Sequence, residues 1–138
     1  MHIIFGGAFN GKRRYVKETF VKTGADWHEG ELPSGTSDKV AVVAGVEHWL
    51  KLKLSQGLDE EDIRQEVLSA VDAGQIWILT DMNRGIVPAD PLERKLRDVI
   101  GRLYQQLFKD ADKITRIWYG IPQTIKGADG YENLHKNR

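Results

Sequence analysis

The chain of 138 residues has no cysteine and no surplus of either charge: Lys plus Arg and Asp plus Glu both number 20. The first absence removes disulfides, thiolate metal centres and thiol nucleophiles together, and agrees with a reducing compartment. Balanced charge leaves no net field to draw in nucleic acid or an anionic membrane surface, so any polyanion site has to be local. No apolar run reaches the length of a membrane span, and the amino terminus lacks a basic region followed by an apolar stretch. The expectation is a cytoplasmic protein with neither a nucleic-acid nor a membrane partner. No internal repeat or low-complexity stretch is visible. With 41% hydrophobic residues, the length suits one compact domain, expected over 1–126, followed by a loose tail over 127–138 that lacks an apolar period.

What the chain does have is concentrated at its amino end, Met1-His-Ile-Ile-Phe-Gly-Gly-Ala-Phe-Asn-Gly-Lys-Arg-Arg-Tyr15, an apolar strand running into a glycine-rich turn. Gly6, Gly11 and Lys12 occupy the first three fixed positions of the phosphate-binding pattern G-x-x-x-x-G-K-[ST]. Glycines let backbone N–H groups close around an anion, the following helix presents its positive end, and the lysine adds a full charge. The predicted phosphate-binding residues are therefore Gly6, Gly7, Ala8, Phe9, Asn10, Gly11, Lys12 and Arg13, with Lys12 as the candidate catalytic group. Arg13 stands where the pattern has a hydroxyl that ligates magnesium. A guanidinium cannot ligate a cation, so no metal ligand set is assigned, and the loop speaks for polyphosphate more than for magnesium-nucleotide chemistry.

Downstream, strands and helices alternate. Helical spacing of Tyr15, Val16, Thr19 and Phe20 predicts a first helix from Gly11 to about Thr23, ended by Gly24. Residues 25–38 show no period and read as a long loop. Lys39–Ala44 and Gln75–Thr80 are continuous apolar runs, the pattern of parallel strands covered on both faces. Between them lie a helix to about Gln56 and another capped by Asp59, with acidic residues in its first turn. Asp90-Pro91 opens a long helix whose inward face is Leu92, Leu96, Val99, Ile100, Leu103 and Leu107. Lys113–Tyr119 is read as the last strand, broken by Gly120 and Pro122. Trp77 and Trp118, both inside strands, are read as core. The order implies an α/β domain with a mainly parallel sheet, helices on both faces and the strand-end loops gathered on one rim.

The carboxyl half carries Gly85-Ile-Val-Pro88, Pro91-Leu-Glu-Arg94, Arg97-Asp-Val-Ile-Gly-Arg-Leu-Tyr-Gln105, Ala111-Asp112 and Gly120-Ile-Pro122. This resembles the adenosylcobinamide kinase / adenosylcobinamide-phosphate guanylyltransferase family of cobalamin biosynthesis. The resemblance implies a P-loop NTPase-like three-layer α/β fold, GTP or ATP as nucleotide, a corrinoid as second substrate, and a homo-oligomer. It implies the loop Gly6 to Lys12 as phosphate site and Arg94, Arg97, Asp98, Gly101, Arg102 and Gln105 as the signature helix. Where the family has a serine, this chain has Arg13; where it has a metal-positioning aspartate, alignment places Ala44. The interval between Gly24 and Lys39 is too short for the family's strand and helix bearing the histidine that takes up GMP. His28 lies there and is read as a loop histidine.

Asp81, Arg94, Arg97 and Arg102 are candidate phosphate or substrate contacts. Arginine forks suit phosphate oxygens, while the competing reading pairs Arg94 or Arg102 with Asp98 along the helix. Glu47 and Asp81 are the carboxylates at strand ends that could replace a missing metal or base group. Two functions follow: a nucleotide-binding enzyme of cobalamin biosynthesis in which guanylyl transfer through a histidine is doubtful, with magnesium left open, or a catalytically inactive descendant acting as a binding or assembly subunit.

Overall fold

The structure, a computed structural model, describes residues 1–21, 24–35, 37–82 and 89–127. In chain order the elements are β1 (His2–Gly6), α1 (Lys12–Thr19), β2 (Ala25–Glu29), β3 (Val40–Ala44), α2 (Val46–Ser55), α3 (Glu60–Ala70), β4 (Ile76–Thr80), α4 (Pro91–Asp110), β5 (Lys113–Trp118) and β6 (Ile121–Lys126). They build one sheet in the order β2-β3-β4-β1-β5-β6, parallel throughout except for β6, which runs antiparallel to β5.

Alternation along the central strands divides the core. Ile3, Val43, Trp77, Leu79 and Ile114 pack with Trp49 and Leu50 of α2, Ile63 and Val67 of α3, and the Leu96–Leu107 stripe of α4. Ile4, Val42, Ile76, Ile78 and Ile117 face the other way, onto Val16 of α1 and Val21. Both faces of β1, β3 and β4 are thus covered, which is why these strands read as unbroken apolar runs. Asp59 and Asp90 cap α3 and α4 as expected, their carboxylates accepting from the Glu61 and Leu92 N–H groups.

Three expectations are corrected. The first helix stops at Thr19, capped by Phe20, whose N–H donates to the Val16 carbonyl; Thr23 lies outside the described residues. The segment taken as a continuous loop opens with β2, paired residue for residue with β3 from Ala25↔Val40 to Glu29↔Ala44. It escaped notice because Ala-Asp-Trp-His-Glu has no aliphatic stripe: an edge strand held by backbone bonds buries little. The chain likewise continues past Gly120 into β6, every residue of which is exposed. Tyr119 and Gly120, with φ of 50° and 78°, form a two-residue hairpin turn of the kind that needs left-handed backbone at both positions. Because Trp118 and Ile121 flank that turn, Pro122 directs its missing donor to the free edge, where proline is tolerated and strand addition is discouraged.

Register sets the rim. Gly6 lies beside Thr80, Phe5 beside Arg116, and Ala44 beside both Ile78 and Glu29. The carboxyl ends of five parallel strands therefore open on one side, with the glycine loop in the middle. No helix among the described residues is long and apolar enough to cross a membrane.

Candidate functional site

The glycine loop is shaped by close approach and by backbone sign. A Cβ on Gly6 would lie 2.4 Å from the Ile117 carbonyl oxygen, so only glycine lets β1 and β5 run this close together. Its own carbonyl accepts from the Asp81 N–H at 2.8 Å. Phe9 and Gly11 adopt left-handed backbone, φ 62° and 87°, and turn the chain into α1. Lys12 is 4% exposed, and its Nζ donates to the Gly7 carbonyl at 2.6 Å, so the ammonium is folded into the loop.

The opening of α1 is unlike those of α3 and α4. No side chain caps it, its first turn carries no acid, and it begins Lys12-Arg13-Arg14. Cations at the positive end of a helix oppose its dipole, whereas α3 starts with Glu60, Glu61 and Asp62. An anion bound there would accept from N–H groups of the first turn and offset the cations.

Toward β2, however, the Arg13 guanidinium is held by a bidentate ion pair, Nε to Oε1 and Nη2 to Oε2 of Glu29, both 2.9 Å. The Arg13 hydrogen bond holds the Glu29 carboxyl below the usual carboxylate range, and the same bond raises Arg13. Arg13 thus meets the end of β2 where a phosphate contact was expected. Behind it, in the first turn of α2, the Glu47 side chain is 12% exposed and its Oε2 is buried with no hydrogen-bond partner. Its charge supports the protonated form of Arg13 and opposes ionisation of Tyr104. Burial first, then Glu47, pushes the Tyr104 phenol far up, and its hydroxyl donates to the Thr80 carbonyl at 3.0 Å.

Two cavities flank this centre and share Asp81. One, of about 460 Å³, lies between the glycine loop, from Gly6 to Asn10, and the end of β5, with Arg116, Trp118 and Tyr119 on its wall. The other, of about 320 Å³, lies along α4 and is lined by Met82, Arg97, Asp98, Arg102, Tyr104 and Gln105 among others. Of the sequence-chosen contacts, Asp81, Arg97 and Arg102 are brought to these walls, and Asp81 and Arg97 have interaction partners of their own. Arg94 is exposed and lines neither cavity. Arg102 is bidentate to Glu60 of α3, at 2.6 and 2.8 Å, where pairing with Asp98 had been the competing reading.

Sequence reasoning missed Arg116. It sits beside Phe5 in the register, its guanidinium 5.3 Å from the centre of the Trp118 ring, and among the described residues it has no ion pair or hydrogen bond. Nothing in the local pattern marks it; only the pairing of β5 with β1 brings it to the loop. His28 faces elsewhere, onto a cavity lined by Asp26, Pro33, Asp38, Lys39 and Gln75.

A family model for cobinamide kinase / cobinamide phosphate guanyltransferase matches residues 12–125. The chain belongs to this family. No curated protein matches it. Within the cobinamide kinase family assignment, Lys12 opens the matched stretch, Gly6 to Gly11 precede it, and the α4 signature falls inside it. Gly85 to Pro88 lie outside the described residues. Membership brings a nucleotide-binding role in cobalamin biosynthesis, on an α/β P-loop-like fold.

A phosphate chain fits what is present: an uncapped helix start, a buried lysine and an adjoining cavity. A magnesium ion fits less fully. Arg13 cannot ligate it, Ala44 is a buried apolar residue, and among the described residues no three His, Asp or Glu side chains converge. Among the described residues Glu47 Oε2 is the orphaned acceptor on the rim, and one carboxylate beside substrate phosphates is an ordinary magnesium arrangement.

Proposed function

We propose that the chain binds GTP or ATP by its phosphates in the glycine loop, Gly6 to Lys12, and serves the phosphoryl-transfer rather than the guanylyl-transfer half of the family's chemistry. The observation that carries this is the Lys12 ammonium, buried and turned into a loop that adjoins an open cavity. In this reading Lys12 stabilises charge on the transferring phosphoryl group, work that asks for position and electrostatics more than covalent chemistry. Glu47 is the residue that would hold a magnesium ion, which would supply charge neutralisation at the phosphates. A corrinoid would occupy the cavity along α4, with Asp81 between the two substrates and Arg97 as a candidate contact. One domain over 1–126, a homo-oligomeric assembly and a cytoplasmic location complete the reading.

Guanylyl transfer through a histidine is disfavoured because His28 opens on a cavity that shares no lining residue with the loop cavity. A second reading, an inactive binding or assembly subunit, is favoured by the locking of Arg13 onto Glu29 at the position of the missing hydroxyl.

Calorimetric titration of GTP and ATP, with magnesium or with chelator, tests binding; Lys12→Ala should abolish it. Phosphate transfer to cobinamide from labelled nucleotide then separates enzyme from inactive descendant. A GTP-labelled protein band that disappears on changing His28 would overturn the assignment of the half-reaction.

A further inference from the structure

The hairpin joining β5 to β6 places aromatic rings where a folded chain has no internal use for them. Trp118 is 56% and Tyr119 79% exposed, and Phe9, across the cavity mouth, is fully exposed. Trp118 was expected in the core, but it shares its face of β5 with Ile114 and Arg116, and on that face Ile114 is buried while Arg116 and Trp118, toward the end of the strand, are exposed. The Trp118 and Tyr119 rings lie 6.0 Å apart, tilted by 38°, and Arg116 stacks over Trp118.

The tip is also tied to the glycine loop. The Gly120 N–H donates to the Asn10 carbonyl at 2.9 Å, and a Cβ on Gly11 would come within 3.6 Å of the Gly120 Cα. Tyr119 holds left-handed backbone, φ 50°, unusual for an aromatic residue and the sort of local strain that gathers at binding sites. Exposed apolar side chains fixed beside a polar cavity mark a binding surface rather than a core.

We infer that this hairpin tip is the nucleobase half of the glycine-loop site: Trp118 and Tyr119 stack the purine of a nucleoside triphosphate whose phosphates reach the loop, with Arg116 against the phosphate chain between them. The inference rests on the proposed phosphate role of the loop and adds where the base goes. An aromatic face suits any purine, so the tip gives affinity with little choice between ATP and GTP. Base stacking on an aromatic side chain is worth roughly ten- to a hundredfold in affinity.

The test measures ATP, GTP and inorganic tripolyphosphate binding by calorimetry, with magnesium in every arm, for the wild type, Trp118→Ala, Trp118→Phe and Tyr119→Ala. The wild type is expected to bind either nucleotide about tenfold or more tightly than tripolyphosphate. Trp118→Ala should remove that margin and leave tripolyphosphate unchanged, while Trp118→Phe keeps it. Since both rings are exposed, the unfolding midpoints should not move. Equal affinity of the wild type for nucleotide and tripolyphosphate, or nucleotide affinity untouched by Trp118→Ala while self-association is lost, overturns the inference and spares the loop reading. Failure of tripolyphosphate itself to bind overturns the loop reading and this one with it.

Discussion

The glycine loop has two flanks of opposite character. Toward β2, its cation is already spent: Arg13 closes a bidentate pair with Glu29, and Glu47 adds negative charge behind it. Toward the β5–β6 hairpin, Arg116 has, among the described residues, only the Trp118 ring as a partner, and Trp118 and Tyr119 face solvent over a cavity. One flank is satisfied by the protein, while the other presents charge and apolar surface that the protein does not use. Proximity in sequence to a phosphate motif is therefore a poor guide to which cation meets the ligand. Arg13 is adjacent to Lys12 and occupied; Arg116 is over a hundred positions away and open.

The contrast can be broken outright at Gly6. Gly6→Val would drive a side chain into the Ile117 carbonyl at the foot of the hairpin flank, at a cost of about 3 kcal/mol or more. Urea unfolding should show a large fall in the midpoint or no folded protein. Replacing the two arginines in turn sharpens the comparison: Arg116→Ala should weaken nucleotide binding roughly tenfold, the worth of a hydrogen bond to a charged group. Arg13→Ala should change it less than about twofold, since its exposed pair with Glu29 contributes under about 1 kcal/mol to anything. Equal losses in calorimetry would mean that Arg13 leaves Glu29 when the ligand arrives.

Glu29→Gln tests that possibility from the other side. Freed from its carboxylate, Arg13 should raise nucleotide affinity by about threefold and make binding steeper in salt, as screened surface charge does.

The smallest effect is in acid, where Glu29 on the β2 flank is set against His2 at the far end of β1, which shares a 2.8 Å hydrogen bond with Thr115 of β5. Burial, then Lys113, lowers its pKa from 6.5 to about 4. Because the folded protein resists the proton that the unfolded chain accepts, this contribution is intact above pH 6.5 and is lost as the pH falls from there toward 4. With the ring partly solvated, the loss should be on the order of 1 kcal/mol. Glu29 acts in a lower window: its depressed pKa gives stability present above 4.5 that disappears as pH falls through the folded value. Unfolding midpoints across pH should lose the upper slope in His2→Gln and the lower one in Glu29→Gln.

The interior of the sheet was legible from sequence and its edges were not. β1, β3 and β4 are buried on both faces, so their apolar runs announce them, and Asp59 and Asp90 mark helix starts through side-chain chemistry that needs no partner element. β2 has no fully buried residue and every residue of β6 is exposed, so both rest on the bonds that a neighbouring backbone offers. Trp118 shows the same limit: alternation names a face, but not whether a helix covers that face at the end of the strand.

By itself, then, the sequence determined the alternating α/β order, the glycine loop with Lys12 at the start of a helix, and the signature on α4 that carries the family. Those are local facts, fixed by periodicity, capping and motif spacing. The tertiary structure alone decided how the charges are employed: Arg13 with Glu29, Arg102 with Glu60, Glu47 Oε2 buried without a hydrogen bond and Arg116 beside the loop. Such pairings depend on strand order and register, which bring residues tens of positions apart within bonding distance, and no local pattern contains that distance.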